Sequence, residues 1–328
     1  MKLTITALAD RLETEADAYE FLEELRWPTG TPTCPHCAHV GADFIRPSNG
    51  VSRRTRTGAM SERRVWRCGE CRKQFSVLTG TPFHGTKISV RKWVFVIFEM
   101  CSSKNGVSAR EIERKYGLCP RTAWFMMHRI RETMKGDGLV QTMRGTIVAD
   151  ETWIGGSLSN KHKRDIKPEP MKPGEYVRPQ IPVLSLINKT TGEVRSRVVA
   201  DVTGATLGKA MTEQIDMPGS VLHTDSAPAY DAIGAQFIRH EAVNHNEDEY
   251  VRYGPNGMVT TNQAENFFSQ LKRSIDGTHH HVSRVHLPRY LAEFDYRYNT
   301  RKLTDTARMA RLMEQVPGHR LTYKLVTA

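Results

Sequence analysis

Thr260-Thr261-Asn262-Gln263-Ala264-Glu265-Asn266-Phe267-Phe268-Ser269-Gln270-Leu271-Lys272-Arg273-Ser274-Ile275 is the stretch around which this chain is organised. Ala264, Phe268, Leu271 and Ile275 recur at spacings of four, three and four, the apolar stripe of a helix with one face in a core. Asn262, Glu265, Ser269 and Lys272 follow the same period about one residue further round. An amide, a carboxylate and an amine therefore share the edge beside the anchored stripe. Taken alone, such an edge is a solvated charged face. Two isolated aspartates upstream change that reading, because each belongs to a strand-like run.

The first run is Arg144-Gly145-Thr146-Ile147-Val148-Ala149-Asp150-Glu151-Thr152-Trp153-Ile154-Gly155-Gly156, a strand leaving a glycine and passing Asp150. The second is Ser220-Val221-Leu222-His223-Thr224-Asp225, which finishes on its acid. Between them, Ile181 to Ile187 and Val194 to Val199 read as strands around the turn Asn188-Lys189-Thr190-Thr191-Gly192-Glu193, and Ala205 to Ile215 as a helix. Residues after Asp225 read as helical or irregular pieces leading to the Glu265 helix. Three strands, a helix, a strand and a late helix are the order of an RNase H-like α/β domain with a mixed sheet. In that fold the first strand, the end of the fourth strand and the late helix converge at one edge.

Convergence matters because two divalent ions about 4 Å apart activate the attacking oxygen and stabilise the leaving one in an in-line phosphoryl displacement. Mg²⁺ takes hard oxygen ligands and keeps several waters, so three carboxylates and a substrate phosphate suffice. Asp150 would bridge the ions, Asp225 and Glu265 would each complete one side, and Lys272 would touch a DNA phosphate.

Upstream, Cys34-Pro35-His36-Cys37 and Cys68-Gly69-Glu70-Cys71 offer four thiolates on two knuckles, the ligand set of one structural Zn²⁺. Strand-like pieces at Asp43 to Arg46 and Arg64 to Arg67 fit a zinc ribbon. Its inner loop carries Arg53, Arg54 and Arg56, with Arg63, Arg64 and Arg67, as candidate phosphate contacts. Ile5 to Leu25 reads as an acidic leading helix. Ser89 can cap a helix to about Cys101, and Ser108-Ala109-Arg110-Glu111 is a capping box for a helix ending near Gly117. Thr122 to Met134 reads as the next helix, and the pair resembles a helix-turn-helix that would present Arg121 and Arg129 to DNA. Cys101 and Cys119 read as small core residues.

The 328 residues hold 47 Lys and Arg against 36 Asp and Glu, a net charge of +11 that favours polyanionic partners, nucleic acid first. No run of eighteen apolar residues offers a membrane span, and the amino terminus lacks a signal-peptide core. The expected setting is cytoplasmic, at the nucleoid of a prokaryote. The basic, Pro-rich segment Lys161 to Pro179 reads as a loop open to DNA. His279, His280 and His281 read as a loop after the catalytic helix, and His286 to Asn299 as a core helix. The expected division is a helical segment at 1–30, the zinc ribbon at 31–87, a helical DNA-binding region at 88–140, the catalytic domain at 141–305 and a tail at 306–328.

Several ordered pieces together resemble bacterial insertion-sequence transposases of the DDE class, which pair an amino-terminal zinc ribbon with an RNase H-like catalytic domain. They are Cys-Pro-His-Cys at 34–37, Trp66-Arg67-Cys68-Gly69-Glu70-Cys71, Gly80-Thr81-Pro82-Phe83 and Asp150-Glu151-Thr152-Trp153-Ile154-Gly155-Gly156. Further on come His223-Thr224-Asp225, Asn262-Gln263-Ala264-Glu265 with Lys272-Arg273, and His286 to Phe294 with Arg297 to Arg301. The resemblance covers roughly residues 20 to 305. It implies that Asp150 and Asp225 are the metal-binding aspartates and Glu265 the third acid, with Asn262 auxiliary one turn earlier. It also implies two Mg²⁺ (or Mn²⁺) per active site, and DNA contacts from Lys272 and Arg273. The implied partners are double-stranded transposon ends and target DNA, held in a homodimer or larger synaptic assembly.

Overall fold

A computed structural model of the chain describes residues 3–45, 53–54, 60–61, 64–136, 141–155, 180–255, 257–316, 318 and 321–327. Arg56, Arg63 and the basic segment 161–179 lie outside the described residues. The chain forms two compact units, Met1–Asp137 with Thr300–Ala328, and Gly138–Asn299.

The first unit opens with two helices where the sequence pattern suggested one, α1 (Ile5–Arg11) and α2 (Glu15–Arg26). The break has a local cause. The Thr14 hydroxyl accepts from Asp17 N at 3.2 Å, and the Asp17 carboxylate accepts from Thr14 N at 2.7 Å. That reciprocal pair satisfies two donors a fresh helix start would leave unpaired. Next come β1 (Ala42–Ile45), the short pair β2 (Arg53–Arg54) and β3 (Met60–Ser61), then β4 (Val65–Cys68) and β5 (Gln74–Phe75). β1, β4 and β5 form a three-stranded antiparallel sheet with β4 in the middle. Helix α2 is tied to it by the Glu23 carboxylate, which accepts from Trp66 Nε1 at 2.9 Å and Arg64 Nε at 3.0 Å. Trp27 closes the seam edge-on to Trp66 and Phe75. Arg64, expected among the phosphate contacts, thus also serves the acids of α2.

Ser89 caps α3 (Val90–Ser102), and Ser108 caps α4 (Ala109–Tyr116) by accepting from Glu111 N at 3.1 Å. Gly117 then takes φ +59°, a left-handed conformation that a side chain would disfavour, and turns the chain into α5 (Pro120–Met134). Pro120 starts that helix where its missing N–H costs nothing. Cys101 is buried, whereas Cys119 is exposed, standing just before α5 rather than in a core.

The second unit is built on a five-stranded sheet. Its strands are β6 (Thr146–Ile154), β7 (Ile181–Asn188), β8 (Val194–Val198), β9 (Val221–Asp225) and β10 (Arg239–Val243), with α6 (Gly204–Thr212) before β9 and α7 (Asp231–Gly234) after it. Their order is β10-β9-β6-β7-β8; β6, β7 and β8 run antiparallel, and β9 and β10 run parallel to β6. This mixed sheet is the RNase H-like arrangement. The Asn188 side chain shapes the β7–β8 turn, accepting from Thr190 N and Thr191 N. A ribbon of β11 (Arg252–Gly254) and β12 (Gly257–Val259) leads into α8 (Asn262–Ser274), and α9 (Leu287–Asn299) follows.

Two cores sandwich the sheet. Val148, Ile154, Val183 and Ile187 pack on one face with Ala264, Phe268, Leu271 and Ile275 of the α8 stripe and with Leu287, Leu291 and Phe294 of α9. Ile147, Ala149, Leu184, Leu186 and Leu222 pack on the other with Leu207 and Met211 of α6 and with Tyr230. β10, like the β11–β12 ribbon, is absent from the sequence reading. Arg239-His240-Glu241-Ala242-Val243 lies at the sheet edge, so polar side chains are tolerated and no apolar alternation marks it.

The last segment returns to the first unit as α10 (Asp305–Glu314) and the short α11 (Tyr323–Thr327), where the sequence suggested only a tail. Met309, Leu312 and Met313 are buried, and Arg308 Nη1 donates to the Cys101 carbonyl of α3 at 2.9 Å.

Candidate active site

Asp150 and Asp225 are carried by paired strands. In the parallel ladder Thr146 stands opposite Val221 and Val148 opposite His223. The pairing ends there, two residues short of both acids, so Asp150 and Asp225 follow in the same direction on neighbouring parallel strands. Alternation then fixes the face. Val148 and Ile154 belong to the core under α8 and α9, so Asp150 points to that side, and Asp225 shares it because its neighbour Leu222 belongs to the opposite core. Helix α8 packs on that face through Ala264, Phe268 and Leu271, and Glu265, in its first turn, is near enough for its charge to act on Asp150.

Electrostatics agree with this convergence. Burial, opposed by the Glu151 N–H donated to its Oδ1 at 2.7 Å, pushes the Asp150 carboxyl up to about 7, and the charges of Glu151, Asp225 and Glu265 add to the rise. Glu151 is raised to about 7, again by burial first, against a hydrogen bond from Tyr230. A buried carboxyl whose ionisation is opposed by neighbouring negative charge is the setting a divalent cation relieves, and carboxylate oxygens are the hard donors Mg²⁺ prefers. Among the described residues, the four cysteines are the one group whose ligand atoms all lie within 4.8 Å of one another.

Three neighbours escaped the sequence reading. Glu151 falls on the α6 face of β6, where its carboxylate accepts from the hydroxyl of the fully buried Tyr230. Tyr230 closes the 3-10 turn Pro228–Tyr230 after Asp225, and Ala227 N donates to Asp225 Oδ1 at 3.2 Å. The short segment after β9 is therefore fastened both to Glu151, within β6, and to Asp225, at the end of β9. His245 Nε2 lies 2.9 Å from Thr261 Oγ1 and 3.8 Å from Glu265 Oε1. Adjacency to Asp150 was the one signal for Glu151. Tyr230 and His245 sit on irregular segments with no periodicity to mark them.

The remaining candidates are placed as follows. Asn262, Glu265, Ser269 and Lys272 are all exposed along one edge of α8, with Arg273 folded back onto Ser269 O and Oγ at 3.3 Å. Arg121 is exposed at the start of α5, its guanidinium 5.6 Å from the centre of the Tyr323 ring. Arg53 and Arg54 form β2. Arg129 corrects the sequence expectation. It is 8% exposed, donates to the His84 carbonyl at 2.8 Å and lies over the rings of Trp93 and Phe125. A guanidinium enclosed this way holds the helical core together and does not face a phosphate. The expected loop at His279 is instead the end of a π-helical turn, Ile275–His279, that continues α8, and His279 packs edge-on against Tyr290 and Phe294.

Cys34, Cys37, Cys68 and Cys71 meet as the sequence spacing requires. Cys34 Sγ lies 3.7 Å from Cys71 Sγ, and Cys37 Sγ 3.6 Å from Cys68 Sγ. A tetrahedron with Zn–S bonds of about 2.3 Å has S···S edges of about 3.8 Å. The thiol cage therefore fits one zinc ion.

Residues 142–299 match the family described as ISXO2-like transposase domain, and residues 13–74 match the transposase zinc-ribbon domain. The first match spans the sheet unit with all three acids, and the second contains all four cysteines. The chain belongs to the insertion-sequence transposases that carry an amino-terminal zinc ribbon. It is also similar to a Halobacterium salinarum protein described as an uncharacterized protein in transposable element ISH50, 24% identical over 290 residues that cover 87% of this chain and 90% of the relative. No helix among the described residues is long and apolar enough to cross a membrane.

Proposed function

We propose that this transposase is a DDE enzyme that binds the terminal inverted repeats of its insertion sequence and catalyses strand cleavage and strand transfer. The observation that supports the reading is the parallel pairing of β6 with β9, which directs Asp150 and Asp225 the same way on neighbouring strands, on the sheet face where α8 packs. Asp150, Asp225 and Glu265 would hold two Mg²⁺ (or Mn²⁺) ions. When bound, such ions lower the pKa of an attacking water and stabilise charge on the leaving oxygen. The chain's own work is positional. Partial burial shields Asp150 and Glu151 from bulk water, Tyr230 ties β6 at Glu151 to the segment after β9, and Lys272 offers its ammonium to a backbone phosphate on the same edge as Glu265.

Hydrolysis at each transposon end breaks the P–O3′ bond, the water oxygen going to phosphorus and a proton to the freed 3′ oxygen. Each 3′ hydroxyl then attacks a target phosphodiester, losing its proton as the target's own 3′ oxygen leaves. The zinc ribbon and the α4–α5 pair, with Arg121 exposed at its turn, would recognise the ends. Holding two ends at once calls for a dimer or a larger synaptic assembly.

The test is incubation with labelled transposon-end DNA, with and without Mg²⁺, scoring nicking and joining separately. Asp150→Ala and Asp225→Ala should abolish nicking while retaining end binding. Unchanged nicking by either variant overturns the reading, and nicking without joining reduces it to a nuclease.

A further inference from the structure

We infer that the ribbon β11–β12 is a base-stacking contact for the DNA strand at the candidate active site, with Tyr253 as its stacking face. The inference rests on the reading of that site as a DNA-processing centre. Tyr253 is paired across the ribbon with Met258, so both side chains stand on one face. They are 82% and 40% exposed, which makes this the most open aromatic–aliphatic pair on the sheet unit's described surface. On the other face Val259 is 2% exposed and anchors the ribbon, so the exposure of Tyr253 is not a loose end of chain.

Two cations flank the pair. Lys189 donates its ammonium to the Met258 carbonyl, and Arg252 precedes Tyr253 on an exposed position. An aromatic face among positive charges suits a partner that is anionic and carries flat apolar rings, which describes a nucleic-acid strand. A second copy of this chain, itself at +11, would bring like charge against it.

Position points to the same partner. The Tyr250 ring lies 5.2 Å from that of His245, and His245 Nε2 lies 3.8 Å from Glu265 Oε1. Three residues of extended chain reach about 10 Å, so Tyr253 stands within a few nucleotides of a phosphate held at Glu265. Tyr253 and Met258 would enter the stack there and hold an unstacked base beside the cleaved bond, as apolar wedges do when they open a base step.

The experiment uses the full chain and a duplex from the end of its own element, with 2-aminopurine at the bases flanking the cleavage position and no divalent metal added. Wild type should change the probe's fluorescence on binding. Tyr253→Ala should lose that change and roughly tenfold or more of end affinity, and Tyr253→Trp should restore both. Asp150→Asn should keep the fluorescence change while losing cleavage in Mg²⁺, which separates this inference from the catalytic one. An undiminished signal with Tyr253→Ala overturns the stacking role. So does a loss that tracks an altered oligomeric state, which would assign the ribbon to a protein partner.

Discussion

Replacing Asp150 by Asn should make the protein more stable at pH 8 and catalytically dead. The Asp150 carboxyl is pushed from its ordinary 3.8 to about 7, chiefly by burial. Between about pH 4 and pH 7 the folded form therefore holds a proton that the unfolded form has released. Stability falls as pH rises through that window and is level above it. At about 1.4 kcal/mol per pH unit, the distance from 3.8 to about 7 corresponds to about 4 kcal/mol lost by pH 8. The asparagine side chain keeps an oxygen to accept the Glu151 N–H and carries no charge to desolvate. The variant should match wild type near pH 4 and exceed it by up to about 4 kcal/mol at pH 8. The assay is urea unfolding across that pH range in buffers passed over a metal-scavenging resin, because a strong soluble chelator would also strip the zinc ribbon. Added Mn²⁺ should narrow the gap by stabilising wild type alone. A variant no more stable than wild type at pH 8 without divalent metal would refute the burial argument.

The hydroxyl of Tyr230 is the donor to a half-buried Glu151, so Tyr230→Phe should cost about 1–3 kcal/mol at pH 8. Because burial holds Glu151 near 7, the cost should shrink toward pH 5, where the carboxyl is protonated; a pH-independent loss would mean the effect is packing alone. Asp295 of α9, raised to about 7 by burial, accepts from Ser196 N at 2.6 Å and Ser196 Oγ at 2.7 Å. Asp295→Ala should lose about 1–3 kcal/mol by leaving the strand N–H unpaired, while Asp295→Asn should be neutral or stabilising at pH 8 in the same unfolding assay. Elemental analysis should find about one zinc per chain. Cys68→Ser should lose it, together with resistance of residues 31–75 to proteolysis, and equal zinc content in variant and wild type would contradict the tetrahedral cage.

Local signals in the sequence carried a long way here. The α8 stripe, the Cys-x-x-Cys spacing, the caps at Ser89 and Ser108 and the β7–β8 turn are each specified by residues close together in the chain. Their physical causes act over one or two turns of backbone, and each recurs in the structure. The same locality explains the misses. β10 is a polar edge strand recognisable only by the neighbour it pairs with, and α10 and α11 follow residues that carried no legible pattern. Arg129 looked like a surface cation because helical period alone does not show that Trp93 and Phe125 would enclose it.

By itself, then, the sequence determined the zinc ligands, the strand that carries Asp150 and the helix edge that carries Glu265. Tertiary structure decided that the strands carrying Asp150 and Asp225 are parallel neighbours, that Glu151 turns away to Tyr230, and that His245 lies against Glu265. Those facts depend on the register between strands far apart in the chain, which is set by the cores on both faces of the sheet and written in no single stretch of residues.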